Sequence, residues 1–342
     1  MPSLVDVFKR PNLSDIATLA NVSRSTAQRA FTADSSISEA KRSKVLKAAA
    51  QLGYRPNALA RSLRTTRTGL VGILMEEFSN PLFLSILGLL TRKLQENGLR
   101  ALAVNATKDV SIDEAMDLIM QYRIDGLVVS SDMPLAVEYE CSKMNVPVVS
   151  FARSDRNVQT SFGICLDDFH AGWLAGKHLA EKGYTRPGFI GGFRDVSVTQ
   201  LRLEGFRQGL ADAGLTISPV VEYAGDNTYK NGREASRKIL SSPRSPDALF
   251  CVNDQVAIAA IDTATMMGRS VPNSLGVVGV DDIWFSETER YQLTTIRQPL
   301  EIMADEMVEV LANGSESLSE LKKLRTHKGV LISRGSTEKS RS

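Results

Sequence analysis

Arg24, Ser25 and Arg29 fall on one face of a short helical stretch, opposite Ala27, Ala30 and Phe31. Such a set is suited to the edges of nucleic-acid bases. An Arg fork pairs bidentately with guanine, and a Ser hydroxyl can bond several bases or a phosphate. Acid–base and nucleophilic chemistry is less well provided for. Asp281-Asp282 and His178 can be imagined as acid and base, but no nucleophile, metal cluster or phosphate loop accompanies them. His170, His178 and His327 have no ligand spacing, and Cys141, Cys165 and Cys251 are isolated and odd in number. Gly191-Gly192 follows an apolar run but lacks the third glycine and trailing acid of a dinucleotide loop. No catalytic residue, metal or cofactor is expected.

The elements around the Arg–Ser face form a small helical unit. Leu13, Ile16, Ala17 and Ala20 share one face of a first helix, for which Ser14 is the expected cap. Asn21-Val22 makes a turn, and Ser23 caps a second helix over 24–31. A third runs from Ser38 to Leu52 and closes on Gly53, with Pro56 beyond. Two short helices joined by a tight turn and braced by a third describe a helix-turn-helix, whose second helix enters the major groove. Charge agrees: residues 1–64 carry 11 Lys and Arg against 4 Asp and Glu, and the remainder 30 against 35. A basic head on an acidic body is the footprint of a polyanion binder. An ordinary basic helical bundle would carry the same charge, so the turn and the charge count only together.

Asn57-Ala-Leu-Ala-Arg-Ser-Leu-Arg64 reads as one further helix, capped by Asn57. Two turns alone are marginal in water, so it should form only when something holds it. Beyond Thr68 the pattern becomes strand, helix, strand. A first series of apolar runs comprises 69–75, 101–106, 126–130 and 146–151; a second comprises 163–166, 188–191, 220–223, 248–252 and 276–280. Alternation at this spacing predicts parallel sheets covered by helices, and two series predict two subdomains with a ligand crevice at the strand carboxyl ends.

Leu13-Ser-Asp-Ile-Ala, Ser23-Arg-Ser-Thr and Leu52-Gly-Tyr-Arg-Pro-Asn-Ala-Leu-Ala-Arg-Ser-Leu63 together resemble the LacI/GalR family of bacterial transcription regulators. The likeness extends through Ser79-Asn-Pro-Leu-Phe83, Arg202-Leu-Glu-Gly-Phe206, Asn253-Asp-Gln255, Val280-Asp-Asp282 and Leu293-Thr-Thr-Ile-Arg-Gln-Pro299, to about Thr337. It implies that residues 57–64 are a hinge helix whose Leu63 wedges into the minor groove, flanked by Ala60 and Arg64. DNA contacts would then come from Ser14, Ser23, Arg24, Ser25, Thr26, Arg29, Asn57, Ala60, Leu63 and Arg64. The resemblance further implies a periplasmic-binding-protein-like core in which Arg202, Asn253 and Asp281 hold a small effector. Arg153 would join them, with Phe78 and Asn80 on the other wall. An Arg fork with an Asp acceptor suits a sugar, sugar acid or nucleoside. Asp254 and Asp281 could equally serve as caps of helices or turns. Departures from the family pattern are Gln28 (often Ser), Ala152 (often an acid) and Asn227 (often an aromatic lid).

The expected fold is thus α/β, with a helix-turn-helix headpiece and hinge helix joined to a two-subdomain core of parallel sheets. Its divisions are a disordered arm at 1–11, the DNA-binding domain at 12–56, hinge and linker at 57–67, the core at 68–337 and a flexible tail at 338–342. Within the core, one subdomain takes about 68–163 and 297–325, the other about 164–296 and 326–337. The apolar and charged fractions, 43% and 23%, are those of a globular protein. No run of eighteen apolar residues occurs, and residues 1–10 hold Asp6, Lys9 and Arg10 in place of a signal-peptide core, so a cytoplasmic protein without a membrane role is expected. The expected partners are a palindromic double-stranded operator, a second copy of the chain and a small effector. The polar C-terminus carries no leucine heptads, so assembly beyond a dimer is not expected. The rival is a solute-binding protein without a DNA role, disfavoured by residues 13–64; an enzyme is the third class.

Overall fold

The computed structural model describes residues 11–32, 35–55, 67–75, 80–106, 110–130, 135–151, 162–216, 218–313 and 324–339. The chain divides between Thr68 and Gly69 into two compact units.

The first unit contains α1 (Leu13–Leu19), α2 (Arg24–Ala30) and α3 (Glu39–Leu52). Asn12, and not Ser14, caps α1. Its Oδ1 accepts from the Ser14 and Asp15 amides at 2.8 and 3.3 Å, while the Asp15 carboxylate accepts from the Asn12 amide at 2.8 Å. This reciprocal box starts one residue before the apolar face, which is why Ser14 looked like the boundary. Ser23 caps α2 as expected, and Gly53 closes α3 at φ 64°. Ile16, Ala17, Ala20, Ala27, Ala30, Val45, Ala48 and Ala49 form the core. Mostly alanine, it lets three short helices approach closely. Arg42 on α3 braces the far end of α2 by donating to the Ala30 and Thr32 carbonyls at 2.8 and 3.1 Å. A cation there also complements the helix dipole.

In the second unit, β1 (Leu70–Met75), β2 (Arg100–Asn105), β3 (Gly126–Val129), β4 (Val148–Phe151), β5 (Phe162–Leu166) and β11 (Leu324–His327) form a parallel sheet, ordered β11-β5-β4-β3-β1-β2. A second sheet, ordered β12-β10-β9-β8-β6-β7, contains β6 (Pro187–Gly191), β7 (Val220–Tyr223), β8 (Ala248–Cys251), β9 (Gly276–Asp281) and β10 (Thr294–Arg297), with β12 (Val330–Ile332) as an antiparallel edge. Strand periodicity sorts the cores. Val71, Ile73 and Met75 face α4 (Pro81–Glu96) and α11 (Leu300–Asn313), whereas Leu74 faces α5 (Ile112–Met120) and α6 (Leu135–Lys143).

One assignment from the sequence is corrected. The run at 163–166 reads from the sequence as the head of the second series, but β5 pairs with β4 in the first sheet. The chain changes sheets after Leu166, Arg297 and His327. All five β5 residues are buried, and nothing local to such a run says which sheet it joins. The strands β10, β11 and β12 fall outside the two series of apolar runs.

α7 (Asp168–Glu181) and α8 (Ser197–Asp212) cover one face of the second sheet, α9 (Tyr229–Leu240) and α10 (Asp254–Met266) the other. Beneath α7 and α8, Phe206 and Phe250 pack at 5.2 Å between ring centroids and Phe189 and Phe250 at 5.4 Å. Each fully buried ring contributes about 1.5–3 kcal/mol. Between the two helices lie Gly172 and Gly176 on one side, Gly205 and Gly209 on the other. A Cβ at Gly172 would sit 2.0 Å from the Arg202 carbonyl oxygen, and one at Gly205 1.9 Å from that of Phe169. Only bare backbone permits this approach, and it brings the start of α7 against α8.

Candidate base-reading helix and ligand cleft

On α2 the Ser23 hydroxyl accepts from the Thr26 amide at 3.1 Å and lies 2.9 and 2.8 Å from the Ser25 and Thr26 hydroxyls. Arg24, Ser25 and Arg29 are exposed, while Ala27 and Ala30 are buried. The division expected from periodicity is therefore present: a polar outer face on a helix held from within. Ser14 is also exposed, on the first turn of α1.

The candidate cleft lies at the carboxyl ends of the second sheet's strands. Asp281 ends β9 at φ 123°, and Asp282 follows at φ 57°. Two consecutive non-glycine residues in this region cost about 1–3 kcal/mol each and persist only where neighbours hold them. Asp282 is held by Arg297 at 2.6 Å and Arg334 at 2.7 Å. Asp281 accepts from Gln298 Nε2 at 2.7 Å, and the Asn80 side chain is near enough to favour its charged form. Burial pushes its carboxyl up to about 6, against the pull of Arg202, Gln298 and Asn80. Asn80 caps α4, accepting from the Leu82 amide at 3.0 Å, and Leu82 packs in the same cluster as Val252 and Ile283. The first sheet's helix thus meets the second sheet's strand end at Asp281.

Arg202, on α8, is buried. Its Nε and Nη2 both donate to Asp168 Oδ1 at 2.8 Å, and Nη1 donates to the Val252 carbonyl oxygen. Asn253 caps α10, accepting from the Val256 amide at 2.9 Å, and donates to the Asn227 carbonyl oxygen at 3.2 Å. Asp254 points beneath the strands: it accepts from the Ser286 and Thr295 hydroxyls at 2.6 Å each and from the Ile283 amide at 3.0 Å. Burial raises it to about 8. Asp254 is therefore a structural tie between α10 and the strand ends.

His178 is buried and bonded to the Thr337 hydroxyl at 2.8 Å, and burial lowers its pKa to about 4. Burial likewise raises Cys141 to about 11 and Cys165 to about 12, so neither thiol is poised as a nucleophile. Among the described residues no group of His, Cys, Asp and Glu could hold a metal ion, and no helix is long and apolar enough to cross a membrane.

Residues 12–57 match the sequence profile of the bacterial regulatory proteins of the lacI family, and residues 177–337 that of a periplasmic binding protein-like domain. The ribose operon repressor of Escherichia coli (strain K12) is 32% identical over 302 residues, covering 87% of this chain and 91% of that protein. This chain belongs to the LacI family. It is thereby a DNA-binding transcription regulator with a ligand-binding core. Another LacI-family relative, the transcriptional repressor PurR of Aliivibrio salmonicida (strain LFI1238), is 30% identical over 302 residues, covering 87% of this chain and 90% of that protein. The lac repressor dimer bound to operator and the anti-inducer ONPF superposes with a TM-score of 0.84 at 25% identity, over 96% of this chain and 99% of that one.

Among the residues expected to form the LacI-family cleft, Asn80, Arg202 and Asp281 are brought together, and Asn253 sits at the adjoining strand end. Phe78 and Arg153 lie outside the described residues, as do Asn57, Ala60, Leu63 and Arg64 of the expected hinge. Two residues were missed. Gln298, which holds Asp281, stood inside the quoted Arg-Gln-Pro motif without a role. Asp168, which holds Arg202, had only the Asp167-Asp168 doublet before a helix as a signal, and that reads as a cap. Asp167 is indeed the cap, accepting from the His170 amide at 2.9 Å.

Proposed function

We propose that the chain is a homodimeric repressor that reads a palindromic operator through α2 and the hinge, and that a small sugar-like effector controls it from the cleft. One observation carries the reading: a buried Arg–Asn–Asp set converges at parallel-strand carboxyl ends, in a chain that begins with a helix-turn-helix. Arg24, Ser25 and Arg29 are the base readers in this reading; Ser14, Ser23 and Thr26 meet phosphate. Two half-sites require a two-fold protein, which makes the dimer the working species. Relatives whose names or structures carry ribose and cellobiose support the choice of effector class, and one bound to operator supports the DNA role. Domain limits of 12–56 for the head, 57–67 for the hinge and 68–337 for the core go with it.

The ligand would move the DNA equilibrium only by its differential affinity for two subdomain arrangements, a coupling of about 1–3 kcal/mol. Asp281 is the natural switch point, since an effector hydroxyl would compete there with Asn80 and Gln298. The test is a sugar and nucleoside panel with three readouts: ligand binding, turnover and affinity for selected operator DNA. Saturable binding without turnover, together with a ligand-dependent change in operator affinity, is expected. Ligand binding by a protein that never selects a DNA sequence would leave a solute-binding protein, and turnover an enzyme. Leu63→Ala examines the hinge: operator affinity and DNA bending should fall while ligand affinity of the free protein stays. A variant that bends DNA like the parent would reduce the hinge to a tether.

A further inference from the structure

All three nitrogens of the Arg202 guanidinium are tied to protein acceptors. The Nε–Nη2 edge, one of the two faces with which arginine grips an anion, is filled by a single oxygen of Asp168 at 2.8 Å from each nitrogen, and Nη1 serves the Val252 carbonyl. Asp168 is 4% exposed and Arg202 7%, so neither charge is screened by water. The Asp281 carboxyl is close enough to feel both groups, attracted by Arg202 and repelled by Asp168. Among the described residues, two carboxyl groups therefore face one guanidinium.

We propose that Asp168 sets the charge preference of the cleft: by neutralising Arg202 it makes the site accept an uncharged polyhydroxylated ligand and reject its carboxylated or phosphorylated counterpart. This rests on the effector reading and narrows it, since that reading admits a sugar acid as readily as a sugar. The chemistry runs through hydrogen-bond polarity. A sugar hydroxyl donates to the Asp281 carboxylate, in competition with Gln298 and Asn80, while accepting from the N–H groups that Arg202 still has to offer. A carboxylate or phosphate cannot donate, finds the Nε–Nη2 edge filled, and meets two negative groups in a buried site where like charges repel strongly. The glycine-lined approach of α7 to α8, in which a Cβ at Gly172 would meet the Arg202 carbonyl oxygen, brings the helix carrying Asp168 against the one carrying Arg202. Asp168 is thus a positioning residue, acting on the ligand through Arg202.

The experiment titrates the full chain with matched neutral and anionic probes: ribose against ribonate and ribose 5-phosphate, cellobiose against cellobionate, adenosine against its 5′-monophosphate. Within any series that binds, the neutral member should bind at least about tenfold tighter. Asp168→Asn should shrink that ratio about tenfold or reverse it, and Asp168→Glu, which restores the charge, should retain it. Tighter binding of an anionic member by the parent protein overturns the proposal, as does an unchanged ratio in Asp168→Asn that still melts cooperatively. Should Asp168→Asn fail to fold, the parent ratio and Asp168→Glu decide alone. A parent that binds operator but no probe of either charge overturns the effector reading itself, a distinct outcome from anion preference.

Discussion

Replacing Arg202 tests whether the buried pair holds the cleft. Arg202→Met keeps roughly the side chain's volume but removes the cation, leaving the Asp168 carboxylate buried at 4% exposure without its two 2.8 Å donors. Removing one member of a buried pair costs about 3–5 kcal/mol, because the other charge is stranded. Asp168→Asn should cost less, about 1.5–3 kcal/mol. Its amide oxygen still accepts from Nε, and Arg202 keeps the Val252 carbonyl and the field of Asp281. In the double variant no charge is stranded, so its cost should fall short of the two single costs combined by about 2 kcal/mol or more. Urea midpoints of the four proteins at neutral pH give the cycle. Its pH dependence is a second check. Burial already raises the Asp168 pKa, and without Arg202 it rises further. A group raised in the folded state stabilises most below its unfolded pKa and loses that contribution as pH rises through the folded one. The Arg202→Met penalty should therefore be small near pH 4, about the ordinary Asp value, and full at neutrality. Additivity of the single costs within about 0.5 kcal/mol, or a penalty independent of pH, would refute the pairing argument.

Asp281 should make effector affinity fall about tenfold per pH unit below its pKa of about 6, because ligand hydroxyls need its ionised form; calorimetry from pH 5 to 7 should show this slope, and Asp281→Asn should not. His178 is held neutral with a pKa of about 4, so the folded protein loses stability as pH falls from 6.5 towards 4, by at most about 3 kcal/mol. His178→Gln should lack this acid loss, and parallel pH curves for the two proteins would exclude the assignment. Arg29→Ala should relax base preference at one position of each half-site, costing about 1–3 kcal/mol there. Equal losses on operator and scrambled duplex across a salt series would make Arg29 a phosphate contact.

Much of the molecule was legible before folding, and for one reason: the information is local. Ile16, Ala17 and Ala20 report a helix face by spacing alone, Ser23 and Gly53 report caps by side-chain chemistry, and the alternating β1 residues report a strand covered on both sides. The charge contrast between head and core needs no structure. The family motifs placed Arg202, Asn253 and Asp281 together because their surroundings in the chain are distinctive. Tertiary structure decided what depends on residues far apart in sequence. β5 joins the first sheet by pairing with β4 and β11, the latter more than 150 residues away, and its own five apolar residues are silent on that choice. Asp168 and Arg202 meet 34 positions apart, because four glycines let two helices close on each other. The spacing Gly172–Gly176 and Gly205–Gly209 was visible, but a small residue on a helix has no meaning until the facing helix is known. Asp254 and Asp281 are the plainest case. Both are aspartates in quoted motifs, yet three donors beneath the sheet turn one into a tie, while the other ends β9 on a left-handed backbone, held by Gln298. The sequence names the acids; what each of them holds depends on the donors that the fold brings to it.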